Sequence, residues 1–154
     1  MKSPESLDAV AEFHRTFHVP VVDVPAIPAP DRSRLRVNLL REELNEFEQA
    51  IADGDLVEVA DALADLQYVL SGAVLEFGLG DHFKRLFDEV HRSNMSKTCR
   101  TEQEALDTVE HYRKLGQEGR VERSGNHYLV YRNEDNKVLK NVNYSPADLA
   151  AQLK

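Results

Sequence analysis

Four acidic residues recur in pairs with the same spacing, three residues apart, in two hydrophobic stretches of the chain. Glu43 and Glu46 lie in the first stretch, and Glu58 and Asp61 lie in the second. Residues i and i+3 of a helix project to one side, so each pair can reach one point. A carboxylate among apolar residues is costly unless a cation pairs with it, and all-oxygen ligation suits Mg²⁺ or Mn²⁺. The spacing therefore predicts a divalent-metal site built from four carboxylates.

Two long helices joined by a tight turn must position these acids. Hydrophobic periodicity predicts the first helix over residues 32–53 and the second over residues 56–78. Gly54 suits the left-handed position that ends a helix, and Asp55 is the predicted N-cap of the second helix. A short turn between long helices implies an antiparallel hairpin, which brings both acid pairs to comparable distances from the turn. The cluster contains no His or Cys, which argues against zinc.

The second predicted helix is apolar around most of its circumference, which leaves a narrow strip for its acids. Glu58, Asp61 and Asp65 share this strip with Gly72 and Glu76. A helix this apolar needs cover on several sides. One short hairpin cannot supply that cover, so we expect a homo-oligomer, a dimer or a tetramer. The predicted core residues are Leu40, Leu44, Phe47 and Ile51 in the first helix and Leu56, Val59, Leu63, Leu66, Leu70, Val74 and Phe77 in the second.

The other segments predict an all-α bundle with a small β-hairpin near the C-terminus. Further helices are predicted over residues 4–17, with Ser3 as the N-cap, and over about 81–95. Prolines stiffen residues 19–30 into an extended connector. We assign residues 1–100 to one α-helical domain.

Residues 101–154 form a C-terminal extension that we expect to be part of the same compact unit. Thr101 with Glu104 is a capping-box signal for a helix that ends near residue 115. Residues 121–140 alternate β-prone runs with turn residues, which predicts a hairpin or three short strands. Ser145 is the predicted cap of a last short helix.

Composition excludes several classes of partner. The formal net charge is -8, which disfavours nucleic acid because phosphate contacts need clustered Lys and Arg. The apolar run at residues 19–30 is too short to cross a bilayer, and the N-terminus lacks the apolar stretch of a signal peptide. Cys99 is the single cysteine, so a disulfide within the chain is impossible and a reducing compartment fits best. We expect a cytoplasmic protein with no membrane partner.

The acidic motif resembles that of a known superfamily. Glu43-x-x-Glu46 followed by Glu58-x-x-Asp61 is similar to the ExxE…ExxD signature of the all-α nucleoside triphosphate pyrophosphohydrolases. This superfamily includes MazG-type enzymes, dimeric dUTPases, dCTP pyrophosphatases and phosphoribosyl-ATP pyrophosphohydrolase. The resemblance covers roughly residues 32–97 and leaves out the C-terminal extension.

The resemblance implies a helical homo-oligomer that requires Mg²⁺. Such an enzyme hydrolyses a nucleotide between its α and β phosphates and releases a monophosphate and pyrophosphate. By position, Glu43, Glu46, Glu58 and Asp61 would be the metal ligands. Glu43 and Glu46 would also be catalytic, with Glu43 preferred as the group that orients or deprotonates the attacking water.

Three further residues enter through the same resemblance, and Asp65 enters through its place on the acidic strip of the second helix. The segment SNMSK is similar to the polar and basic segment that follows the third helix in the superfamily, so Asn94 and Lys97 become candidate phosphate or sugar contacts. Glu42, which forms the doublet Glu42-Glu43, and Asp65 would be supporting acids. Glu42 could instead be an ordinary solvated acid on the helix surface. Asp65 could instead form an ion pair with a basic group.

Three functions and one local alternative stay open from the sequence. The first function is hydrolysis of a nucleoside triphosphate such as dUTP, dCTP or a non-standard nucleotide. The second is hydrolysis of phosphoribosyl-ATP, and the third is a non-catalytic helical protein whose acids bind a basic partner. Locally, Glu58 could complete a capping box with Asp55 in addition to any ligand role.

Overall fold

A computed structural model describes residues 4–154 and confirms the predicted fold class, mostly helical with one small C-terminal hairpin. Two compact units meet between Phe83 and Lys84; the division at residue 100 stays a prediction. The elements in chain order are α1 Ser6–Thr16, α2 Pro30–Asp53, α3 Leu56–Glu76, α4 Gly80–Met95, α5 Glu102–Lys114, β1 Gly119–Ser124, β2 His127–Arg132 and α6 Leu149–Gln152.

The turn between α2 and α3 has the predicted local chemistry. Gly54 ends α2 with a φ of +69°, a left-handed conformation that residues with a Cβ rarely adopt. Asp55 caps α3, since its Oδ1 accepts the backbone N–H of Val57 at 2.9 Å and that of Glu58 at 3.2 Å. These bonds satisfy two N–H groups at the start of α3 and fix the point from which α2 and α3 diverge.

The connector before α2 is extended, as predicted, and lies along the end of α3. The Val22 N–H donates to the Leu75 carbonyl at 3.0 Å, and the Ala26 N–H donates to the Phe77 carbonyl at 3.1 Å. Gly78 is essential to this approach because a Cβ there would lie 2.1 Å from the Val24 carbonyl oxygen. The contacts hold the start of α2 next to the C-terminal end of α3.

The N-terminal helix packs on α3 through a small apolar cluster. Val10 and Ala11 of α1 are buried against Leu75 of α3. The helix begins at Ser6, two residues later than predicted. The predicted N-cap, Ser3, lies outside the described residues.

Of the predicted core residues of α2 and α3, Val74 is buried at 5% exposure, five are half-buried and five are exposed in a single chain. Leu44 and Ile51 are 47% and 56% exposed, and Leu56 is 79% exposed. The buried residues of α2 are instead Arg36 and Ala50. Periodicity found the apolar face correctly, but α1 and α2 cover only part of α3, and part of the apolar stripe of α2 stays exposed.

A buried ion network joins the start of α2 to the end of α3. Glu76 is 2% exposed. Arg32 Nε donates to Glu76 Oε1 at 2.5 Å, and Arg36 Nε donates to Glu76 Oε2. Burial alone would raise the pKa of Glu76, but the hydrogen bonds from Arg32 and Arg36 outweigh burial and lower this pKa. We call Arg32, Arg36 and Glu76 the Glu76 network.

His14 of α1 lies against the Glu76 network and is also buried. Its Nδ1–H donates to the Pro20 carbonyl at 2.8 Å, and its Nε2 faces Arg36 Nη2 at 3.4 Å. Burial lowers the pKa of His14 below 6.5, and the positive charge of Arg36 lowers it further. The hydrogen bond to the Pro20 carbonyl and the negative charge of Glu76 raise this pKa but do not outweigh burial. The ring is therefore neutral in the folded protein at neutral pH.

Acidification below about pH 6.5 is expected to destabilise the first unit through His14. The unfolded chain binds a proton at His14 before the folded chain does, so the free energy of unfolding falls as pH drops below the unfolded pKa. Urea titrations between about pH 7 and pH 5 measure this slope. The slope should be smaller in His14→Gln, and equal slopes in the two proteins would contradict the assignment.

The second unit has its own core around the hairpin. Strands β1 and β2 pair antiparallel with Gly119 opposite Arg132, and isolated bridges join Cys99 to Tyr128 and Tyr131 to Val138. The result is the predicted hairpin with single-residue additions rather than a full third strand. The buried cluster of this unit consists of Cys99, Ala105, Val130 and Leu139.

One predicted cap of the second unit is confirmed and the other is wrong. Thr101 Oγ1 accepts the Glu104 N–H at 3.1 Å at the start of α5. The cap of α6 is Asp148, not Ser145. The Ser145 N–H instead donates to Ser96 Oγ at 3.0 Å, and this bond attaches the C-terminal segment to residues just after α4.

Within residues 4–154, no single helix is long and apolar enough to cross a membrane. Taken together as a bent pair, α3 and α4 have the length and composition of a broken membrane span, and only these two properties suggest one.

Candidate metal centre

Glu43 is a half-buried acid of α2 whose pKa is influenced by carboxylates on both helices of the hairpin. Partial burial raises its pKa, and the negative charges of Glu46, Asp65, Glu42 and Asp61 raise it further. A carboxyl group is shifted by like charges only when they are near it. Acids from α2 and α3 therefore share one local field, and we call these five residues the acidic patch.

Small side chains allow α2 and α3 to approach each other near the acidic patch. Ala50 of α2 and Ala62 of α3 are buried at 5% and 3% exposure. Asp61 and Asp65 flank Ala62 along α3, and Glu43 and Glu46 precede Ala50 by two turns and one turn of α2. The acids thus border a seam between the helices that contains small, buried alanines.

Glu58 is the predicted ligand that the structure does not bring into this field. Its side chain is exposed, and it is absent from the charges that shift the pKa of Glu43. Its carboxylate does not complete the capping box either, because the Asp55 N–H donates to the Ala50 carbonyl at 3.1 Å. The Glu58 carboxylate is left without a structural task, and its ligand role stays a prediction.

The acidic patch differs from Glu76 in having no cationic partner. In the described part of the chain, no Lys or Arg forms an ion pair with Glu43, Glu46, Glu58 or Asp61. The same residues contain no group of three His, Cys, Asp or Glu side chains already arranged to hold a metal ion. Carboxylate oxygens are ligands that suit a hard divalent cation. The side chains are spread apart, which is the arrangement that repulsion between carboxylates favours.

The predicted substrate contacts lie in the second unit and contact each other. Lys97 Nζ donates to Asn94 Oδ1 at 2.7 Å. Asn94 is exposed and Lys97 is half-buried. Their contact with a phosphate or a sugar stays a prediction.

Sequence reasoning missed Arg32 and Arg36 as partners of the α3 strip. Both arginines lie on the same side of α2 as Glu43, at spacings of eleven and seven residues that return to one helix face. Glu76 is on the strip of α3 that also carries Asp65. This spacing was the available signal, and it indicates a seam that is acidic near the turn and ion-paired at the far end.

Comparison with known proteins identifies the family. The sequence model described as phosphoribosyl-ATP pyrophosphohydrolase matches residues 10–94, which is more than half of the chain and includes the acidic patch, Glu58 and Asn94. An uncharacterized protein of Acanthamoeba polyphaga mimivirus is 27% identical over an alignment of 223 positions that covers 86% of this chain and 89% of the viral protein. The matched family is a member of the MazG-like nucleoside triphosphate pyrophosphohydrolase superfamily. The chain belongs to the phosphoribosyl-ATP pyrophosphohydrolase family.

Proposed function

We propose that this protein is a Mg²⁺-dependent pyrophosphohydrolase that converts a nucleoside triphosphate to the monophosphate and pyrophosphate. The observation that carries the proposal is the acidic patch, a group of carboxylates from two adjacent helices without a cationic partner, inside the range that matches the family. A protein of net charge -8 needs imported positive charge to bind a polyphosphate, and a divalent cation supplies it.

Glu43, Glu46, Glu58 and Asp61 are the proposed ligands of Mg²⁺, with Mn²⁺ as a substitute. The ion would neutralise phosphate charge and acidify the attacking water. Because the ligands are not prearranged, binding must reorient some of these side chains. Asp65 shares the field of Glu43 and supports the site, as does Glu42 from the outer side of α2.

Glu43 is the preferred general base. A general base must reach the attacking water and accept its proton, and Glu43 is a half-buried patch acid whose pKa is raised, first by burial and then by its acidic neighbours. Its carboxylate takes the proton of the attacking water and keeps that water oriented toward the α or β phosphorus. Glu46, one turn further along α2, is the second catalytic candidate.

Asn94 and Lys97 are the proposed contacts to phosphate or sugar. Lys97 carries the positive charge, and its bond to Asn94 holds the ammonium group near a neutral amide rather than near a carboxylate. A phosphate oxygen can replace the amide oxygen as the acceptor. Deoxynucleotides such as dUTP and dCTP and non-standard nucleotides are the proposed substrates, and phosphoribosyl-ATP is the second candidate because the matched family carries that name.

Exposed apolar residues support assembly into a dimer or a tetramer. Leu56 and Val57 at the start of α3 are 79% and 75% exposed, and Leu63 is 49% exposed. Contiguous apolar surface of this kind is covered by a partner in most stable proteins. A cytoplasmic location fits a nucleotide-pool enzyme with one buried thiol, Cys99.

A nucleotide panel tests the proposal. The purified protein is incubated with Mg²⁺ and with ribo- and deoxynucleoside triphosphates, and phosphoribosyl-ATP is included. Pyrophosphate and monophosphate are then measured, and we expect equal amounts of both from at least one nucleotide. Absence of release from every nucleotide would contradict the enzyme and favour a helical interaction protein whose acids bind a basic partner.

A further inference from the structure

The Glu76 network lies at one end of the helix pair, and the acidic patch lies between this network and the turn at Gly54. Arg36 precedes Glu43 by seven residues on the same side of α2, an axial distance of about 10 Å. Glu76 follows Asp65 by eleven residues on α3. The turn at Gly54 ties the helices at the acidic end, and the Glu76 network ties them at the other.

Leu40 and Phe47 of α2 are half-buried, and few side chains of α2 are fully buried. Of the residues that the structure describes in α2, only Arg36 and Ala50 are buried, and α2 contributes no residue to either buried apolar cluster of the described chain. Ala50 is too small to interlock with a groove. The directional hydrogen bonds from Arg32 and Arg36 to Glu76 are therefore the specific contacts that set the register of α2 against α3.

Electrostatic repulsion makes this tie necessary. Glu43 and Glu46 lie one turn apart on α2, and Asp61 and Asp65 lie one turn apart on the neighbouring helix α3, so like charges on the two helices repel one another across the seam. Before any cation binds, this repulsion disfavours close approach of the two helices at these acids. Opposite charges at the other end of the same seam counter this repulsion.

We propose that Arg36 and Glu76 are positioning residues for the metal site. Their buried ion pair holds the carboxylates of α2 opposite those of α3 before the cation arrives. This inference rests on the proposed function. Through this ion pair, residues at the far end of the hairpin influence the affinity for the metal and the orientation of Glu43.

Gly72 offers a way to disturb the pair without removing a charge. A Cβ at Gly72 would lie 2.8 Å from Arg36 Nη1 and 3.1 Å from His14 Nε2. The guanidinium is the end of a flexible side chain, so it shifts while the backbone stays in place. Alanine also has a higher helix propensity than glycine, so we expect Gly72→Ala to fold.

The test compares Gly72→Ala and Glu76→Gln with the wild type, and Asp88→Asn serves as the matched control. Asp88 is an exposed acid whose ion pair with Lys84 lies outside the first unit. Mn²⁺ dissociation constants from electron paramagnetic resonance, kcat and KM for pyrophosphate release, and helicity by circular dichroism are measured well below each melting temperature. Glu76→Gln removes one partner of a buried ion pair, which can prevent folding. If Glu76→Gln does not fold, the comparison of Gly72→Ala with the wild type is the test.

We expect folded Gly72→Ala to bind Mn²⁺ more weakly than the wild type and to lose about 10-fold or more in kcat, because small displacements of catalytic groups cost large factors in rate. Asp88→Asn should match the wild type. A folded Gly72→Ala with wild-type Mn²⁺ affinity and wild-type kcat would overturn the inference. A wild type that binds Mn²⁺ but releases no pyrophosphate would overturn the proposed function, while a Mn²⁺ affinity unchanged in Gly72→Ala would still overturn the inference separately.

Discussion

Asp61→Asn is expected to reduce pyrophosphate release by about 100-fold or more, since the loss of several kcal/mol of metal-dependent stabilisation changes a rate by that factor. Asp61 is exposed and forms no ion pair within residues 4–154. Its neutralisation therefore removes a proposed ligand without leaving an unpaired group. It also relieves repulsion on Glu43. Activity should thus fall while the free energy of unfolding stays equal or rises.

Steady-state assays and urea titrations of the same preparations measure the two quantities. Glu46→Gln should behave like Asp61→Asn, because Glu46 is the ligand and catalytic candidate on the facing helix. Glu48→Gln is the matched control, since Glu48 is an exposed acid of α2 outside the acidic patch. Full activity in Asp61→Asn and in Glu46→Gln would exclude both residues from the metal site.

Removal of divalent cations is expected to abolish pyrophosphate release completely. No Lys or Arg of the described residues forms an ion pair with the acidic patch, so a cation must neutralise the repulsion between these carboxylates and the polyphosphate. Chelation with EDTA followed by titration of Mg²⁺ or Mn²⁺ should remove and restore activity. Mg²⁺ at 100 times its dissociation constant should also stabilise the folded chain by about 2.7 kcal/mol.

Thermal melts with and without Mg²⁺ measure that stabilisation. The melting temperature of the wild type should rise with Mg²⁺, and that of Asp61→Asn should rise less. A matched concentration of Na⁺ controls for ionic strength, which also screens the repulsion among the carboxylates. Activity that survives chelation would rule out the metal-dependent reaction.

Local sequence signals predicted the features that depend on a few neighbouring residues. Gly54 and Asp55 end and start their helices as expected, and Thr101 caps α5, because caps are made by residues two or three positions apart. Ser145 had the same composition signal but binds Ser96, which is far away in sequence. A local pattern cannot register such a competing long-range partner.

Burial was harder to predict than helix position. Leu44 and Ile51 lie on the apolar face of α2 as the periodicity indicates, yet both are exposed in a single chain. Periodicity identifies a face but not the element that covers it. Arg36, a charged residue, is buried instead because Glu76 supplies a partner forty residues away.

For the candidate site, the sequence predicted which residues belong to it better than how they are arranged. The i, i+3 spacing placed Glu43 and Glu46 on one side of α2, and the antiparallel hairpin brought Asp61 into the field of Glu43. The sequence did not reveal that the charge of Asp65 acts on Glu43 or that Glu58 is exposed, because the order of acids across a seam depends on how two helices are rotated against each other. The Glu76 network sets part of that rotation.

Diffraction from crystals grown with Mn²⁺ tests the central claim most directly. Anomalous scattering locates Mn²⁺ independently of any assumption about its ligands. The account predicts a peak between α2 and α3 within coordination distance, about 2 to 2.3 Å, of carboxylate oxygens from Glu43, Glu46 and Asp61. Crystals with saturating Mn²⁺ and no anomalous peak at these oxygens would contradict it.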